Sequence, residues 1–274
     1  LGVLGKYGMY RFANMMALLD ADIRGVGPEE AKGGRLWSNY TWHGDQAPGH
    51  PFVHGLQNSE VDFNDLRFSK LIVQTGKNLV ENKMPESHWF IECMERGARV
   101  VVIAPEYGPP STKADYWIPI RPQTDAALFL GISRLLVERG QYDERFVKQF
   151  TDFPLLVRKD TLRRLRAADV FPTYKSDLSP DGPSRARQHF TQEEHDQLGD
   201  YVIFDQRTQS LRAVTRDDVG ERLTAKGIRP TLEWRGRLRL VDGTEVEALT
   251  TWSAYQDHLA DYDLETVAEI TGAP

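Results

Sequence analysis

The sequence is almost devoid of cysteine, since Cys93 carries the one thiol among its 274 residues. A disulfide within the chain is therefore impossible, and a four-cysteine zinc or iron–sulfur site cannot be built from this segment alone. Long apolar runs are missing too, and none approaches the roughly 18 residues that a membrane-spanning helix requires. We accordingly expect no transmembrane segment.

The chain also lacks an excess of positive charge. Its 34 Lys and Arg residues are outnumbered by 40 Asp and Glu residues, and the net charge is −6. Nucleic acid therefore finds no electrostatic attraction, and we expect no nucleic acid partner. The chain begins with Leu1 and has no charged-then-apolar leader, from which we expect a processed piece or a segment of a longer protein. The remaining composition, 40% hydrophobic and 27% charged, is that of an ordinary globular protein.

Apolar, strand-like segments alternate with helix-like segments between Lys70 and about Arg139. Each predicted strand ends in polar or charged residues. This alternation predicts a parallel sheet buried on both faces, with ligands bound beyond the carboxyl ends of its strands. The predicted strands are 71–75, 99–104 and 116–120, and the predicted helices are 85–96 and 125–139.

The second half of the chain predicts a small antiparallel β meander. Arg235-Gly236 and Asp242-Gly243 would be its turns, because such dipeptides are common between paired strands. A charged stretch with several prolines, residues 159–188, precedes the meander, and a helix over 255–270 follows it. The predicted strands are 201–204, 211–214, 231–234, 237–241 and 245–251.

The predicted fold class is therefore α/β, a parallel sheet flanked by helices with a small antiparallel meander appended. We expect residues 1–158 to form the α/β region, and residues 159–274 to hold the charged stretch, the meander and the C-terminal helices. An additional helix within residues 1–27 has apolar residues at spacings of three and four, which predicts that one face packs into a core.

Residues 33–63 form a predicted loop rich in glycine, proline, aromatic and ionisable residues. Loops of this composition are more often functional than connective. Four side chains in it could ligate a single metal ion: His43, Asp45, His50 and His54. Their spacing lacks the tight ligand pairs that zinc sites normally have, and Asp45 alone is by default an Asx-turn residue.

The residues that follow the predicted strands give a weak nucleotide signal. Gly76-Lys77-Asn78 is not a Gly-x-Gly-x-x-Gly fingerprint. Glu106, after the second strand, could accept hydrogen bonds from ribose hydroxyls or could be a plain turn carboxylate. Asp125 begins a helix that Thr124 is predicted to cap, so it is equally consistent with a capping role.

The charged stretch 159–188 also has two interpretations. Its arginines either belong to a solvated excursion or dock onto a partner subunit. These arginines are Arg163, Arg164, Arg166, Arg185 and Arg187.

Several segments carry a resemblance to a known family. Residues 116–128, which read YWIPIRPQTDAAL, closely resemble the molybdopterin oxidoreductase (DMSO reductase) superfamily, although that family usually has a glycine where Gln123 stands. Residues 40–48, YTWHGDQAP, resemble the aspartate-ligand segment of the nitrate reductase and nitrite oxidoreductase branch. Residues 150–157 and 268–272 resemble that branch as well. The chain as a whole resembles the central segment of a catalytic alpha subunit.

The resemblance implies a Rossmann-like central domain and oxygen-atom transfer between nitrite and nitrate, coupled to two-electron transfer. The implied cofactor is molybdenum bis(molybdopterin guanine dinucleotide). Asp45, within the loop 37–56, would be the protein ligand to the metal, with Trp42 and His43 shaping substrate access as catalytic-site residues. The cofactor-binding residues would be Gly76, Lys77, Asn78, His88, Pro105, Glu106, Arg121, Thr124 and Asp125.

The same resemblance implies that the partners are the rest of the catalytic subunit, an iron–sulfur beta subunit, and a haem or membrane-anchor subunit. Iron–sulfur clusters would lie outside this segment, which by itself should be inactive. A periplasmic or membrane-associated complex is favoured over a free cytoplasmic protein. Three alternatives remain: a nitrate, chlorate or selenate reductase of the same branch, a non-catalytic nucleotide-binding assembly subunit, and a zinc hydrolase built on His43, His50 and His54.

Overall fold

A computed structural model of the chain describes residues 3–30, 62–178 and 200–274, together with positions 49 and 53. The chain divides into two compact units, one comprising Leu1–Ser69 with His88–Arg96 and the other comprising Lys70–Ser87 with Gly97–Pro274. The division after residue 158 remains a prediction.

The described helices are α1 (Val3–Arg24), α2 (Leu79–Asn82), α3 (Ser87–Glu95), α4 (Asp125–Glu138), α5 (Glu144–Phe150), α6 (Ala167–Val170), α7 (Glu221–Ala225), α8 (Thr251–Leu259) and α9 (Leu264–Thr271). The described strands are β1 (Leu71–Thr75), β2 (Arg99–Ile103), β3 (Tyr116–Ile118), β4 (Leu156–Arg158), β5 (Tyr201–Asp205), β6 (Ser210–Val214), β7 (Arg235–Arg239) and β8 (Glu245–Thr250). None of these helices is both long and apolar enough to span a membrane.

Helix α1 confirms the helix predicted within residues 1–27, and it ends just before Gly25. The prediction that its apolar face packs into a core is wrong for the described residues. Phe12 and Met15 are 62% and 54% exposed, whereas the small Ala13 is buried. An apolar stripe marks a helix face that can be covered, but it does not tell which part of a molecule covers it.

Cys93, on α3 in the first unit, is fully buried and donates its S–H to the backbone oxygen of Ser69 at 3.1 Å. Burial raises the pKa of the Cys93 thiol, outweighing the opposite effects of the Ser69 hydrogen bond and of Arg96. The thiol therefore stays protonated at neutral pH and has a packing role rather than that of a thiolate ligand.

Strands β1, β2 and β3 form a parallel sheet in that order, as predicted. Asp115 fixes the start of β3 against β2, since its N–H donates to the Val100 oxygen at 2.9 Å and its carboxylate accepts the Val100 N–H at 2.7 Å. Strand β3 ends at Ile118, two residues earlier than predicted. The next residue, Pro119, has no N–H with which to continue the ladder.

Strand β1 lies at the edge of this sheet, and its residues 71–75 pair with residues 99–103 of β2. Its side chains alternate between faces, as the strand geometry requires. Ile72 is buried, but Leu71 and Val73 are 57% and 47% exposed. Within the described residues, β1 is therefore covered on one face, not on both as the apolar run predicted.

Helix α4 follows β3 and packs against α9 and the sheet. The core between them contains Ile103, Ile120, Leu128 and Val267. Gly131 allows the two helices to approach closely, because a Cβ at that position would lie 2.7 Å from Cγ2 of Val267. The single helix predicted over 255–270 is instead two helices, α8 and α9. Asp263 caps the amino end of α9, because its carboxylate accepts the N–H of Thr266 at 2.8 Å.

The antiparallel strands are divided between two sheets. Strands β5 and β6 form the predicted hairpin, and β4, β8 and β7 form a three-stranded sheet in that order. The strand predicted at 231–234 is wrong, and Arg235-Gly236, expected as a turn, lies within β7. A Cβ at Gly236 would lie 2.6 Å from Cζ2 of Trp234, so this glycine serves close packing of a ring rather than a turn.

Part of the charged stretch 159–188 belongs to the core and is not a solvated excursion. Leu165 and Ala167 are 1% and 0% exposed. They pack with Leu156 of β4 and Val202 of β5 in one hydrophobic cluster. The charged residues around them are thereby held on a rigid backbone.

Gly131→Ala tests the close packing of α4 against α9. In a helix interior with space, alanine is more stable than glycine by about 1 kcal/mol. Here the added methyl would strike Val267, and overpacking costs about 1–3 kcal/mol. We therefore expect Gly131→Ala to lower the free energy of unfolding, measured by urea denaturation of the chain.

The Val267→Ala background supplies the control, because it removes the methyl groups that the new alanine would strike. In that background Gly131→Ala should be stabilising, so that the two substitutions couple by about 2 kcal/mol. Equal effects of Gly131→Ala in both backgrounds would contradict the close approach.

Candidate functional site

The carboxyl ends of β1, β2 and β3 meet at one edge of the parallel sheet, because the three paired strands run in the same direction. Three segments follow them along this edge: Gly76–Asn78, Pro105–Gly108 and Arg121–Asp125. We call these three segments the strand-end rim. In open α/β sheets this edge is where ligands bind.

The first segment turns at Gly76, whose φ of +58° is a left-handed conformation that glycine adopts without steric cost. The Gly76 N–H donates to the Ile103 oxygen at the end of β2 at 3.0 Å, which fixes the turn against its neighbour. Apart from the adjacent residues 75 and 77, no atom of the described part of the chain lies within 4 Å of where a Gly76 Cβ would be, so this side of the backbone is open to a ligand there. Asn78 ends the segment and caps α2, because its Oδ1 accepts the Glu81 N–H at 3.1 Å. Its Nδ2 also lies close to Gly108 of the second segment, 3.7 Å from where a Cβ on that glycine would be.

The second segment is supported by Trp117 of β3. The indole N–H of Trp117 donates to the Ala104 oxygen at 3.2 Å, and its ring meets that of Tyr107 edge-on with 5.1 Å between centroids. Pro105 and Glu106 lie between these two contacts and are exposed. The strand-end position and the exposure of the Glu106 carboxylate suit an acceptor for a ligand's hydroxyl groups.

The third segment begins with a turn over residues 121–124 that has type II features. The Thr124 N–H donates to the Arg121 oxygen at 3.3 Å, Pro122 occupies the second position, and Gln123 at the third has a φ of +69°. A type II turn requires a positive φ at that third position and therefore favours glycine there. This gives a physical reason for the glycine that the family resemblance implies at Gln123.

The guanidinium of Arg121 binds the carboxyl end of α9. Its Nη1 donates to the backbone oxygens of Glu269 and Ile270, the latter at 3.1 Å, and the Arg121 N–H donates to the Thr271 oxygen at 2.7 Å. These oxygens lack partners within the helix, and a cation there is favoured by the helix dipole. Arg121 thus ties the rim to α9, and its contact with a nucleotide remains a prediction.

Thr124 does not cap α4 through its side chain, contrary to the sequence prediction. Its hydroxyl donates instead to the Arg121 oxygen at 2.6 Å, because the turn places that oxygen within reach. Asp125 is the first residue of α4, where its carboxylate lies at the positive end of the helix dipole. Their roles in cofactor binding remain predictions.

Two buried polar groups near the rim have no hydrogen-bond partner among the described residues: Nε2 of Gln74 and Oγ of Ser111. Gln74 precedes Gly76 by two residues, is 6% exposed, and accepts the Leu79 N–H through Oε1 at 3.4 Å. Ser111 lies in the short helical turn that follows the second rim segment. Buried polar groups are normally paired, so both are candidates for bonds to a ligand or to ordered water. Sequence reasoning missed both, although a glutamine inside the apolar run 71–75 was a usable signal.

Lys77 and Glu106 are two charged residues of the rim. Both are exposed, and neither forms an ion pair with another described residue. An open glycine turn beside an ammonium suits a phosphate, and a carboxylate at a strand end suits ribose hydroxyls. The residues present therefore fit a nucleotide lying along the rim.

The remaining predicted site residues do not belong to the three rim segments, and their roles remain predictions. His88 lies on α3 in the first unit, with its ring 4.0 Å from that of Trp89. The predicted ligand Asp45 and its neighbours lie outside the described residues, as do the other candidates of that loop: Trp42, His43, His50 and His54. Within residues 3–30, 62–178 and 200–274, no cluster of His, Cys, Asp and Glu could hold a metal ion.

Known proteins resemble this chain over most of its length. The family model "Molybdopterin oxidoreductase" matches residues 30–259. The chain is 31% identical over 251 residues to the respiratory nitrate reductase subunit alpha of Haloferax mediterranei, which covers 87% of this chain and 23% of that protein. It is 29% identical over 242 residues to the perchlorate reductase subunit alpha of Dechloromonas aromatica, which covers 86% of this chain and 25% of that protein. It is 40% identical over 93 residues to the dimethylsulfide dehydrogenase subunit alpha of Rhodovulum sulfidophilum, which covers 34% of this chain and 10% of that protein.

These findings confirm the superfamily resemblance drawn from residues 116–128 and 40–48. They also agree with the fold class, a parallel sheet with helices and small antiparallel sheets. The chain spans about a quarter of the length of the nitrate and perchlorate reductase alpha subunits that it matches, 23% and 25%.

Gln123→Gly tests the third rim segment. A left-handed residue with a Cβ is strained by roughly 1–2 kcal/mol, whereas glycine is not strained but adds entropy to the unfolded chain. We expect Gln123→Gly to raise the free energy of unfolding by about 0.5–1 kcal/mol in urea denaturation, the strain relieved minus the added entropy.

Gln141→Gly is the matched control, because Gln141 is also exposed but does not have a positive φ. There the substitution relieves no strain, and we expect it to lower the free energy of unfolding by about 0.5–1 kcal/mol. A loss of stability at both positions would show that Gln123 is not strained.

Proposed function

We propose that this chain, which belongs to the molybdopterin oxidoreductase family, is the central segment of a molybdenum oxidoreductase catalytic subunit that transfers an oxygen atom between nitrite and nitrate. One observation carries the proposal: a single family match over residues 30–259 covers both the predicted metal-ligand loop 37–56 and all three segments of the strand-end rim. The nitrate reductase named above supports the substrate class.

The rim residues would hold the nucleotide end of a molybdopterin guanine dinucleotide. The open side of Gly76 would let a phosphate approach the N–H groups of Lys77 and Asn78, since the Gly76 N–H already donates to the Ile103 oxygen. Lys77 would pair with that phosphate as a point charge, and Glu106 would accept hydrogen bonds from the ribose hydroxyls. Arg121 would hold the third segment to α9. This contact would position Asp125 beside the nucleotide.

Asp45 would be the protein ligand to molybdenum, since a carboxylate is a hard oxygen donor suited to a high-valent metal. When bound, the cofactor supplies a two-electron redox couple and Lewis acidity for oxygen-atom transfer. Trp42 and His43 would border the substrate's approach and exclude water from it. Because these three residues lie within four consecutive positions, one loop conformation would set both the metal ligand and the access of the substrate.

The proposal includes partners, because the chain is about a quarter as long as two alpha subunits that it matches. They are the rest of the catalytic subunit, an iron–sulfur beta subunit, and a haem or membrane-anchor subunit that takes electrons onward. We place the complex in the periplasm or at a membrane. The buried, protonated Cys93 agrees with iron–sulfur clusters lying in other parts of such a complex.

A second candidate is the reduction of an oxyanion, namely nitrate, chlorate or selenate. The similarity to a perchlorate reductase alpha subunit favours it, since that relative is matched over 86% of this chain. The same rim would serve either reaction, because the nucleotide end of the cofactor is remote from the oxyanion. Direction depends on the potentials of the cofactor and of its redox partners.

Lys77→Ala and Glu106→Gln test the nucleotide site. Each removes one charged contact, and a charge-assisted hydrogen bond is worth about 1.5–3 kcal/mol. We expect each to raise the Kd for guanosine diphosphate by about 10- to 100-fold, measured by calorimetric titration of the full catalytic subunit freed of its cofactor.

Lys113→Ala and Glu95→Gln are the controls, because both residues are exposed and lie outside the rim. They should leave the Kd unchanged. A Kd that responds equally to rim and control variants would place the nucleotide elsewhere.

Asp45→Ala tests the metal ligand and the reaction. In the full enzyme complex we expect loss of nitrite oxidation with an artificial electron acceptor and loss of nitrate reduction with a reduced viologen dye. The molybdenum content and the electron paramagnetic resonance spectrum should change as well, because the substitution removes the proposed protein ligand to molybdenum. Unchanged metal content, spectrum and turnover would remove Asp45 from the mechanism.

The unsubstituted complex distinguishes the two candidate functions. A turnover rate for nitrite oxidation that exceeds the rates of chlorate and selenate reduction, measured at matched driving potential, supports the first candidate function. Turnover of chlorate or selenate without turnover of nitrite would favour the second.

A further inference from the structure

A concave site in the second unit is lined by residues that do not belong to the strand-end rim. It has a volume of about 790 Å³ and lies among β4, the segment that follows it, and β5. Four guanidinium groups line it, together with one carboxylate, Asp169. The arginines are Arg158, Arg163, Arg164 and Arg166.

Two of these arginines already have acidic partners. Arg158 forms a two-pronged ion pair with Asp160, at 2.7 and 3.0 Å. Arg164 pairs with Asp152, and its guanidinium also lies 5.8 Å from the centre of the Tyr201 ring. These contacts fix the two side chains, so they shape the wall of the cavity.

The other two arginines have no such partner. The side chains of Arg163 and Arg166 are exposed and form no ion pair with a described residue. Their backbone is nevertheless rigid, because the Arg163 oxygen accepts the Arg158 N–H at 2.9 Å and Arg166 bridges to Tyr201 of β5. The cavity thus presents two cations that form no ion pair with a described residue, on a fixed backbone, so that binding of an anion orders their side chains but little of the backbone.

The edge of the cavity is apolar at one point. Leu162 lies there with 63% of its surface exposed and with a φ of +53°, a conformation that costs a leucine free energy. Exposed arginines and leucine beside the half-buried Tyr201 are a composition typical of protein–protein contacts, in which arginine and tyrosine contribute most. A small inorganic oxyanion would use the guanidinium groups but would leave Leu162 uncovered.

We infer that this cavity is the docking site for an acidic segment of a separate subunit, one that presents carboxylates to Arg163 and Arg166 and an apolar side chain to Leu162. The inference rests on the proposed function in one respect, that the chain is part of a multi-subunit enzyme. Charge complementarity selects the partner segment, because Arg163 and Arg166 are the two lining cations without an ion-pair partner among the described residues, and Asp169 is the one carboxylate of the lining. Arg163 and Arg166 are among the five arginines for which the sequence analysis considered docking onto a partner subunit.

The test places a photo-crosslinking residue at the edge of the cavity, Leu162→benzoylphenylalanine, in the full catalytic subunit assembled with its partner subunits. After irradiation, mass spectrometry identifies the peptide joined to position 162. We expect a peptide from another subunit with at least two carboxylates near the crosslink. Leu264→benzoylphenylalanine is the matched control, because Leu264 is 64% exposed and lies elsewhere.

Charge reversal then tests the role of the two free arginines. Arg163→Glu with Arg166→Glu should lower the yield of the crosslink at position 162 at least tenfold and leave the Leu264 control unchanged. Arg139→Glu with Arg222→Glu is the matched charge control, since both residues are exposed and do not line the cavity. If the reversed variant does not fold, Arg163→Gln with Arg166→Gln removes the charge more mildly and should still lower the yield several-fold.

Three results would overturn the inference: a crosslink to the catalytic subunit's own chain, a crosslink to a partner segment without carboxylates, or a yield unaffected by charge reversal. Binding of inorganic phosphate at micromolar concentration in place of any crosslink would assign the cavity to a small anion instead. Molybdenum and released guanosine monophosphate are measured in the same preparations. Their absence would contradict the proposed function, whereas the crosslink reports on docking alone.

Discussion

The contact between Arg121 and the carboxyl end of α9 holds the candidate site in position. The backbone oxygens at a helix end have no partners within the helix, and they carry the negative end of its dipole. A guanidinium with several donors satisfies more than one of them at once. Through this contact the third segment of the strand-end rim, which follows the short strand β3, is fixed to a helix that itself packs closely against α4.

The rim therefore contains two kinds of polar residue. Arg121, Asn78 and Thr124 use their side chains to hold the turns in shape, whereas Lys77 and Glu106 remain exposed without ion-pair partners among the described residues. Such a division is typical of binding sites built on rigid elements, because a ligand meets groups whose positions are already fixed. It also means that a matched motif does not by itself tell which of its side chains face the ligand.

Much of the fold could be predicted from local pattern. The strand and helix order of residues 70–139 and the 201–214 hairpin are confirmed because alternating apolar segments and short turns are local signals. The failures have a common cause. Arg235-Gly236 was assigned to a turn on its composition, but the Trp234 ring requires a residue without a Cβ inside β7. The charge of the stretch 159–188 suggested a solvated excursion or a docking surface, but Leu165 and Ala167 within it are buried in a hydrophobic cluster with strand residues.

By itself, the sequence determined the order of strands and helices around the rim, the scarcity of thiols, and the resemblance that led to the family. These depend on residues close to one another along the chain. Tertiary structure alone decided which polar groups are occupied, which are buried without a partner, and which remain free for a ligand. Arg121 and Glu269 are 148 positions apart, and only folding brings that guanidinium to that carbonyl oxygen.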